Sequence, residues 1–282
     1  MKFVRFGAVG AEKPGLIDSN GRVRDLSDKI GDFAGAALEP DRLARLAMLD
    51  QETLPSIDKD VRIGAPVGDI RQLVCVGLNY SDHAAELDMP SPSEPVLFMK
   101  SPYSITGPFD DIAIPKGSVK TDWEVELAIV IGRQAENVSR AEAINHIAGF
   151  SIINDISERA WQLEGTGQWT KGKSHKDFAP LGPWLVTPDE ISDVHGLKIW
   201  LDVGDDRMQD GTTKTMIFDV GHLVAFISAL RQKAATVPKT RRKAALRHRK
   251  PGRTVAYNDG WMIGFSRLSF ETGLRPSSKD AL

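Results

Sequence analysis

The segment VELAIVI, residues 125–131, constrains the fold more than any other stretch of the chain. Read as one strand with the upstream SVKTDWE, it alternates its side chains between two faces. Val125, Leu127, Ile129 and Ile131 fall on one face. Asp122, Glu124, Glu126, Ala128 and Val130 fall on the other. That second face begins acidic and turns apolar, so it runs into a core. Taken alone, the acids also suit a solvated strand edge.

Burying two carboxylates two residues apart raises at least one pKa or destabilises the fold unless a cation compensates. A hard divalent cation does so, because Mg²⁺ takes oxygen ligands and keeps waters. Glu124 and Glu126 supply two ligands in this reading. Asp155, at the end of the strand-like AGFSIIND, supplies a third. Three carboxylates leave positions for water or a chelating substrate. The six His residues are scattered and no H-E-x-x-H occurs, so the pattern does not point to zinc.

The chain of 282 residues divides into three stretches. Residues 1–65 read as a small unit: a strand in FVRFGAV, a hairpin turning at Asn20-Gly21, and a short helix in EPDRLARLAMLD. Residues 66–228 form the main body. QLVCVG, PVLFMK and DIAIP read as strands, and Ser81 as an N-cap after the first of them. SRAEAINHI and ISERAWQLEG read as helices, the former opened by a Ser139–Glu142 capping box. Residues 229–282 are atypical. Ten of the chain's 36 basic residues lie between Val220 and Asn258, where no Asp or Glu occurs. The remainder is therefore acidic, which argues against nucleic-acid binding.

No run approaches the roughly 18 apolar residues of a membrane span. The N-terminus has no apolar h-region, and the single Cys75 sits in an apolar run as core filler. A soluble cytoplasmic protein is the expectation.

VGLNYSDHAAE, EPVLFMK, GSVKTDWEVELAIVIG, INDISERAWQ and KGKSHKDFAPLGPWLVT, in this order, resemble the fumarylacetoacetate hydrolase family. The nearest subgroup is the bacterial enzymes for 2,4-diketo acids, some named ureidoglycolate lyases. The resemblance implies an α+β fold, a mixed β-roll with flanking helices, and a homodimer. It implies Mg²⁺ or Mn²⁺ on Glu124, Glu126 and Asp155, with Ca²⁺ a further ion such a site takes in crystals. It implies His83 and Glu86 as a water-activating dyad and Lys173 as partner of the reacting carbonyl. Arg159 and Gln162 match positions that hold substrate oxygens. The substrate would be a small oxo acid. Hydrolytic carbon–carbon cleavage is the first expectation, with isomerase, decarboxylase or lyase chemistry the alternative.

Two features stand outside that pattern. GQWTKGKS, residues 167–174, matches the phosphate loop G-x-x-x-x-G-K-[ST], but its flanks lack the required strand and helix. After Ser228 the family's T-G-T-P closing segment is missing. A reading-frame shift near Ser228 is the preferred explanation. A native basic tail for an acidic partner is the other. A broken frame would leave an incomplete pocket and an inactive family member.

Overall fold

The computed structural model describes residues 1–82, 90–235 and 261–266. Strands run as β1 Lys2–Phe6, β2 Lys13–Ile17, β3 Val23–Asp25, β4 Ile63–Gly64, β5 Gln72–Gly77, β6 Val96–Lys100, β7 Ile105–Thr106 and β8 Thr121–Asp122. They continue as β9 Val125–Ile131, β10 Ile147–Asn154, β11 Ser157–Glu158, β12 Ala179–Val186, β13 Lys198–Val203, β14 Asp206–Thr212 and β15 Trp261–Ser266. Helices are α1 Pro40–Ala47, α2 Arg159–Leu163, α3 Thr170–Lys173 and α4 Val220–Ala235. The α+β class is as expected.

The main sheet runs β3-β2-β1-β12-β10-β9-β15-β5-β6. It is mixed: β15 lies parallel to β5 and antiparallel to β9. All seven residues of β9 are buried. Ala128 and Val130 join a core with Phe3, Leu16, Leu73 and Leu185. Val125, Leu127, Ile129 and Ile131 join a second core with Tyr80, Phe150, Leu223 and Val224. Each face of the strand thus has its own core, as a strand apolar on both sides requires. Helix α4 closes the second core through Val220, Leu223, Val224 and Ile227, an i, i+3, i+4, i+7 stripe. Asp219 caps it by accepting from the His222 N–H at 2.8 Å.

The N-terminal hairpin forms as expected, with Gly21 at φ 76° in its turn. Its sheet is not separate: β1 pairs with β12, and Phe3, Phe33 and Leu43 share a core with Leu73 and Leu185.

Four local expectations are corrected. The acidic strand is broken at Trp123 and Glu124, because β8 pairs with β11 while β9 pairs with β10. DIAIP, residues 111–115, is not a strand; its side chains are mostly exposed and it has no ladder partner among the described residues. In SRAEAINHI the Ser139–Glu142 box does form, but only a turn and a 3₁₀ stretch, Ala143–His146, follow before β10 begins. ISERAWQLEG starts as β11, and its helix is only the five residues of α2. Glu158 ends the strand and caps the helix, accepting from the Ala160 N–H at 3.2 Å.

The atypical segment contributes β15, which lies between β9 and β5. The rest of that segment, 236–260 and 267–282, lies outside the described residues.

Candidate metal centre

Sheet register explains why three acids meet. In the β9–β10 ladder Val125 faces Asn154 and Glu126 faces Ile153. One step further, the Asp155 N–H donates to the Glu124 carbonyl at 2.7 Å, so Glu124 and Asp155 lie directly across from each other. Glu126 lies two residues along, on the same face. The Asn154 side chain holds the break by accepting from the Glu124 N–H at 3.1 Å. Carboxylate oxygens of Glu124, Glu126 and Asp155 all lie within 4.8 Å of one another. Glu126 and Asp155 are only 4% and 3% exposed.

Three cations are built around them. Lys173 Nζ donates to Glu124 Oε2 at 2.5 Å and to Asp155 Oδ2 at 2.8 Å. Lys100 Nζ donates to Asp155 Oδ1 at 2.5 Å and to the Ile156 carbonyl at 3.0 Å. Arg159 reaches Glu124 Oε1 at 2.6 Å, Asp122 Oδ2 at 2.8 Å and Gln162 Oε1 at 2.9 Å. Burial pushes the Glu124 carboxyl up, but Lys173 and Arg159 outweigh it and hold it down to about 2. Burial likewise pulls Lys173 down, and Asp155 and Glu124 outweigh that and keep it above the ordinary lysine range. Four acids, counting Asp122, face three bases, so the formal charge is one unit negative. That balance lets the carboxylates persist in a buried place.

Short connections set the lysine. Gly172 precedes Lys173 in α3, and a Cβ there would stand 2.4 Å from the Glu158 carbonyl and 2.6 Å from the Gln162 nitrogen. Glycine alone lets α3 lie against α2 and aim Lys173 inward. The preceding stretch is α2 and a turn, not a strand, and α3 is a single turn, so the phosphate-loop match is not a phosphate site. Glu158 secures the other wall: it is fully buried and accepts from Ser118 Oγ and the Lys120 N–H.

The site opens into a cavity of about 620 Å³. Its lining includes Asp122, Glu124, Glu126, Asp155, Arg159, Gln162 and Lys173, together with apolar side chains. Expected site residues are thus brought together, except His83 and Glu86, which lie outside the described residues. Helical conformation begins at Ser81. Asn79 anchors the approach by accepting from the Phe218 N–H at 2.9 Å and donating to its carbonyl at 3.0 Å. Sequence reasoning missed Lys100, a fully buried side chain at the end of an apolar strand. The sequence signal is only a charge closing an apolar run, where a lysine ordinarily reaches water.

The hard, all-oxygen donor set fits a divalent cation of the Mg²⁺ or Mn²⁺ kind. Each oxygen already bonded to a lysine or arginine retains further lone-pair capacity.

Comparison with known proteins bears on the family and the fold. Residues 72–235 match the family model for the fumarylacetoacetate (FAA) hydrolase C-terminal domain. A Burkholderia ambifaria protein, provisionally named a hydrolase, is 53% identical over 228 residues, 81% of each chain. The structure of 5-carboxymethyl-2-hydroxymuconate delta-isomerase from Mycobacterium smegmatis aligns with a TM-score of 0.64 and 31% identity, covering 82% of each chain. Maleylpyruvate hydrolase from Sphingobium sp. SYK-6, in complex with manganese(II) and pyruvate, shares the fold at 20% identity. Its TM-score is 0.71, over 95% of this chain and 89% of that one.

Proposed function

Because the chain belongs to the fumarylacetoacetate hydrolase family, we propose that it is a metal-dependent hydrolase cleaving a carbon–carbon bond in a small 2,4-diketo acid. The observation that carries this reading is the meeting of Glu124, Glu126 and Asp155 at one wall of a cavity, with Lys173 between two of them. These three carboxylates would hold Mg²⁺ or Mn²⁺. When bound, the ion supplies Lewis-acid polarisation of a 2-oxo group and offsets negative charge.

The chain's own groups do the rest. Arg159 and Gln162 orient the substrate carboxylate, and Lys173 donates a hydrogen bond from Nζ to the oxygen on which charge develops. A ring nitrogen of His83, with Glu86 as its orienting partner, takes a proton from water. The water oxygen bonds to C4, the C3–C4 bond breaks, and C3 takes up a proton, giving a carboxylic acid and pyruvate. A cytoplasmic homodimer is part of the proposal.

The likeness to an isomerase favours a second reading, isomerase, decarboxylase or lyase chemistry on a related oxo acid with the same site. A panel of acylpyruvates, 2,4-diketo-3-deoxy sugar acids, oxaloacetate and ureidoglycolate with Mg²⁺ and Mn²⁺ separates them. Pyruvate release from diketo acids alone supports hydrolysis. Turnover of oxaloacetate or ureidoglycolate alone supports the second reading, and turnover of none supports an inactive member.

A further inference from the structure

The cavity combines its charged groups with an apolar set, Val76, Leu78, Phe98, Leu163 and Trp169. Phe98 and Trp169 meet edge to face with centroids 5.4 Å apart. Trp169 lies hard against the end of β5: a Cβ on Gly77 would stand 2.6 Å from Trp169 Cζ3. Lys173 Nζ lies 5.0 Å from the Phe98 ring centroid, so the aromatic wall begins where the charged groups stop. Leu163, at 57% exposure, leaves a large apolar side chain uncovered beside the cavity.

Among the described residues lining the cavity, the cations are Arg159 and Lys173. Arg159 directs Nε, Nη1 and Nη2 at Asp122, Gln162 and Glu124. Lys173 is held by Glu124 and Asp155. A second carboxylate placed against Trp169 would meet hydrocarbon, and Lys173, the cation beside Phe98, is already held by two acids, so its burial is costly.

We propose that this site selects 2-oxo acids whose distal end is apolar, alkyl or aryl, and that Trp169 is the specificity-determining residue. The inference rests on the diketo-acid reading for the orientation of the substrate. Its carboxylate faces Arg159 and Gln162, its 2-oxo group faces the acids and Lys173, and its acyl end lies on Trp169 and Phe98. Each methylene buried on that wall adds about fourfold in affinity.

The test is calorimetric binding to the full chain loaded with Mn²⁺, without turnover. The probes are straight-chain 2-oxo monoacids from pyruvate to 2-oxohexanoate, with 2-oxoglutarate and 2-oxoadipate as diacids. The expected result is tightening of about fourfold per added methylene, with diacids weaker than monoacids of equal length by about tenfold or more. Trp169→Ala flattens the series and Trp169→Phe keeps most of it. A flat series in the unmodified chain, or a diacid that binds as well as its monoacid, overturns the proposal. An unaltered slope in Trp169→Ala overturns the assignment to that residue. If that variant does not fold, Trp169→Gln takes its place: a flattened slope supports the assignment and an unaltered slope overturns it. Parallel turnover of acylpyruvates keeps the two readings apart. No diketo acid cleaved with the slope intact sinks only the hydrolase reading. Diketo acids cleaved with a flat slope sink only this one.

Discussion

Replacing Lys100 with Met removes a cation that touches the site but no solvent. Its side chain is fully buried, and Nζ bonds Asp155 Oδ1 at 2.5 Å and the Ile156 carbonyl at 3.0 Å. Breaking a buried pair by deleting one partner costs about 3–5 kcal/mol when the other is left alone. Asp155 is not left alone, since Lys173 still holds Oδ2 at 2.8 Å. A loss of about 2–3 kcal/mol is therefore expected for the metal-free chain. For a chain of this size that lowers the melting temperature by about 5–10 °C. The deletion also takes the formal charge of the cluster from one to two negative. A divalent ion should then bind more tightly, and a tenfold gain needs only about 1.4 kcal/mol. Ligand binding stabilises the folded state by RT times the logarithm of one plus free ligand concentration over Kd. Saturating Mn²⁺ should thus raise the melting temperature more in Lys100→Met than in the parent chain. Scanning calorimetry with Mn²⁺ and with a chelator measures both effects. Equal Mn²⁺ increments in the two proteins would refute the electrostatic reasoning, and so would an undiminished metal-free melting temperature.

Glu126→Gln should weaken Mn²⁺ binding by at least about tenfold in calorimetric titration while leaving the Lys173 and Arg159 pairs intact. Lys173→Met should lower kcat by about 10²–10³, the usual loss of a donor to a developing oxyanion, in a pyruvate-release assay. Gly172→Ala should destabilise the chain by about 1–3 kcal/mol in urea unfolding, because its Cβ collides with the Glu158 carbonyl. Acid unfolding has a defined window. The Arg62 guanidinium holds Asp110 at about 2 against an ordinary 3.8. Burial pushes Asp18 up, but the Arg22 N–H and the Arg24 guanidinium outweigh it and hold it at about 2 as well. Both groups stabilise the fold above pH 3.8 and lose that contribution as pH falls toward 2. Asp110→Asn should flatten part of that slope in a pH series of melting temperatures.

Much of the site was legible because period-two alternation is a strong signal when one face mixes acids with core residues. Ala128 and Val130 marked the acidic face as buried, and Asp155 ended a readable strand. The break at Trp123 was not legible, since it depends on β11 coming back to pair with Thr121 and Asp122. Helix lengths failed for a similar reason. The capping box at Ser139 specifies one turn, and the strand pairing of Ile147 ends it. DIAIP carries strand residues, yet has no neighbour among the described residues to give it a ladder. Lys100 escaped because a lysine closing an apolar run ordinarily reaches water. Only Asp155, far along the chain, makes it a core residue. β15 escaped because its Gly264 and the basic stretch before it hide a strand whose place is set by β5 and β9 together.

The insertion of β15 has a consequence for biosynthesis. Among the described residues, β5 and β6 connect to the rest of the main sheet only through that strand. Val76, Gly77 and Phe98 stand on one side of the seam, and Glu126 stands on the other. On the ribosome, the ladders that join β9 and β5 through residues 261–266 can form only after that segment has been made. Glu126 on β9 and Val76 on β5 thus acquire their shared neighbour late in synthesis.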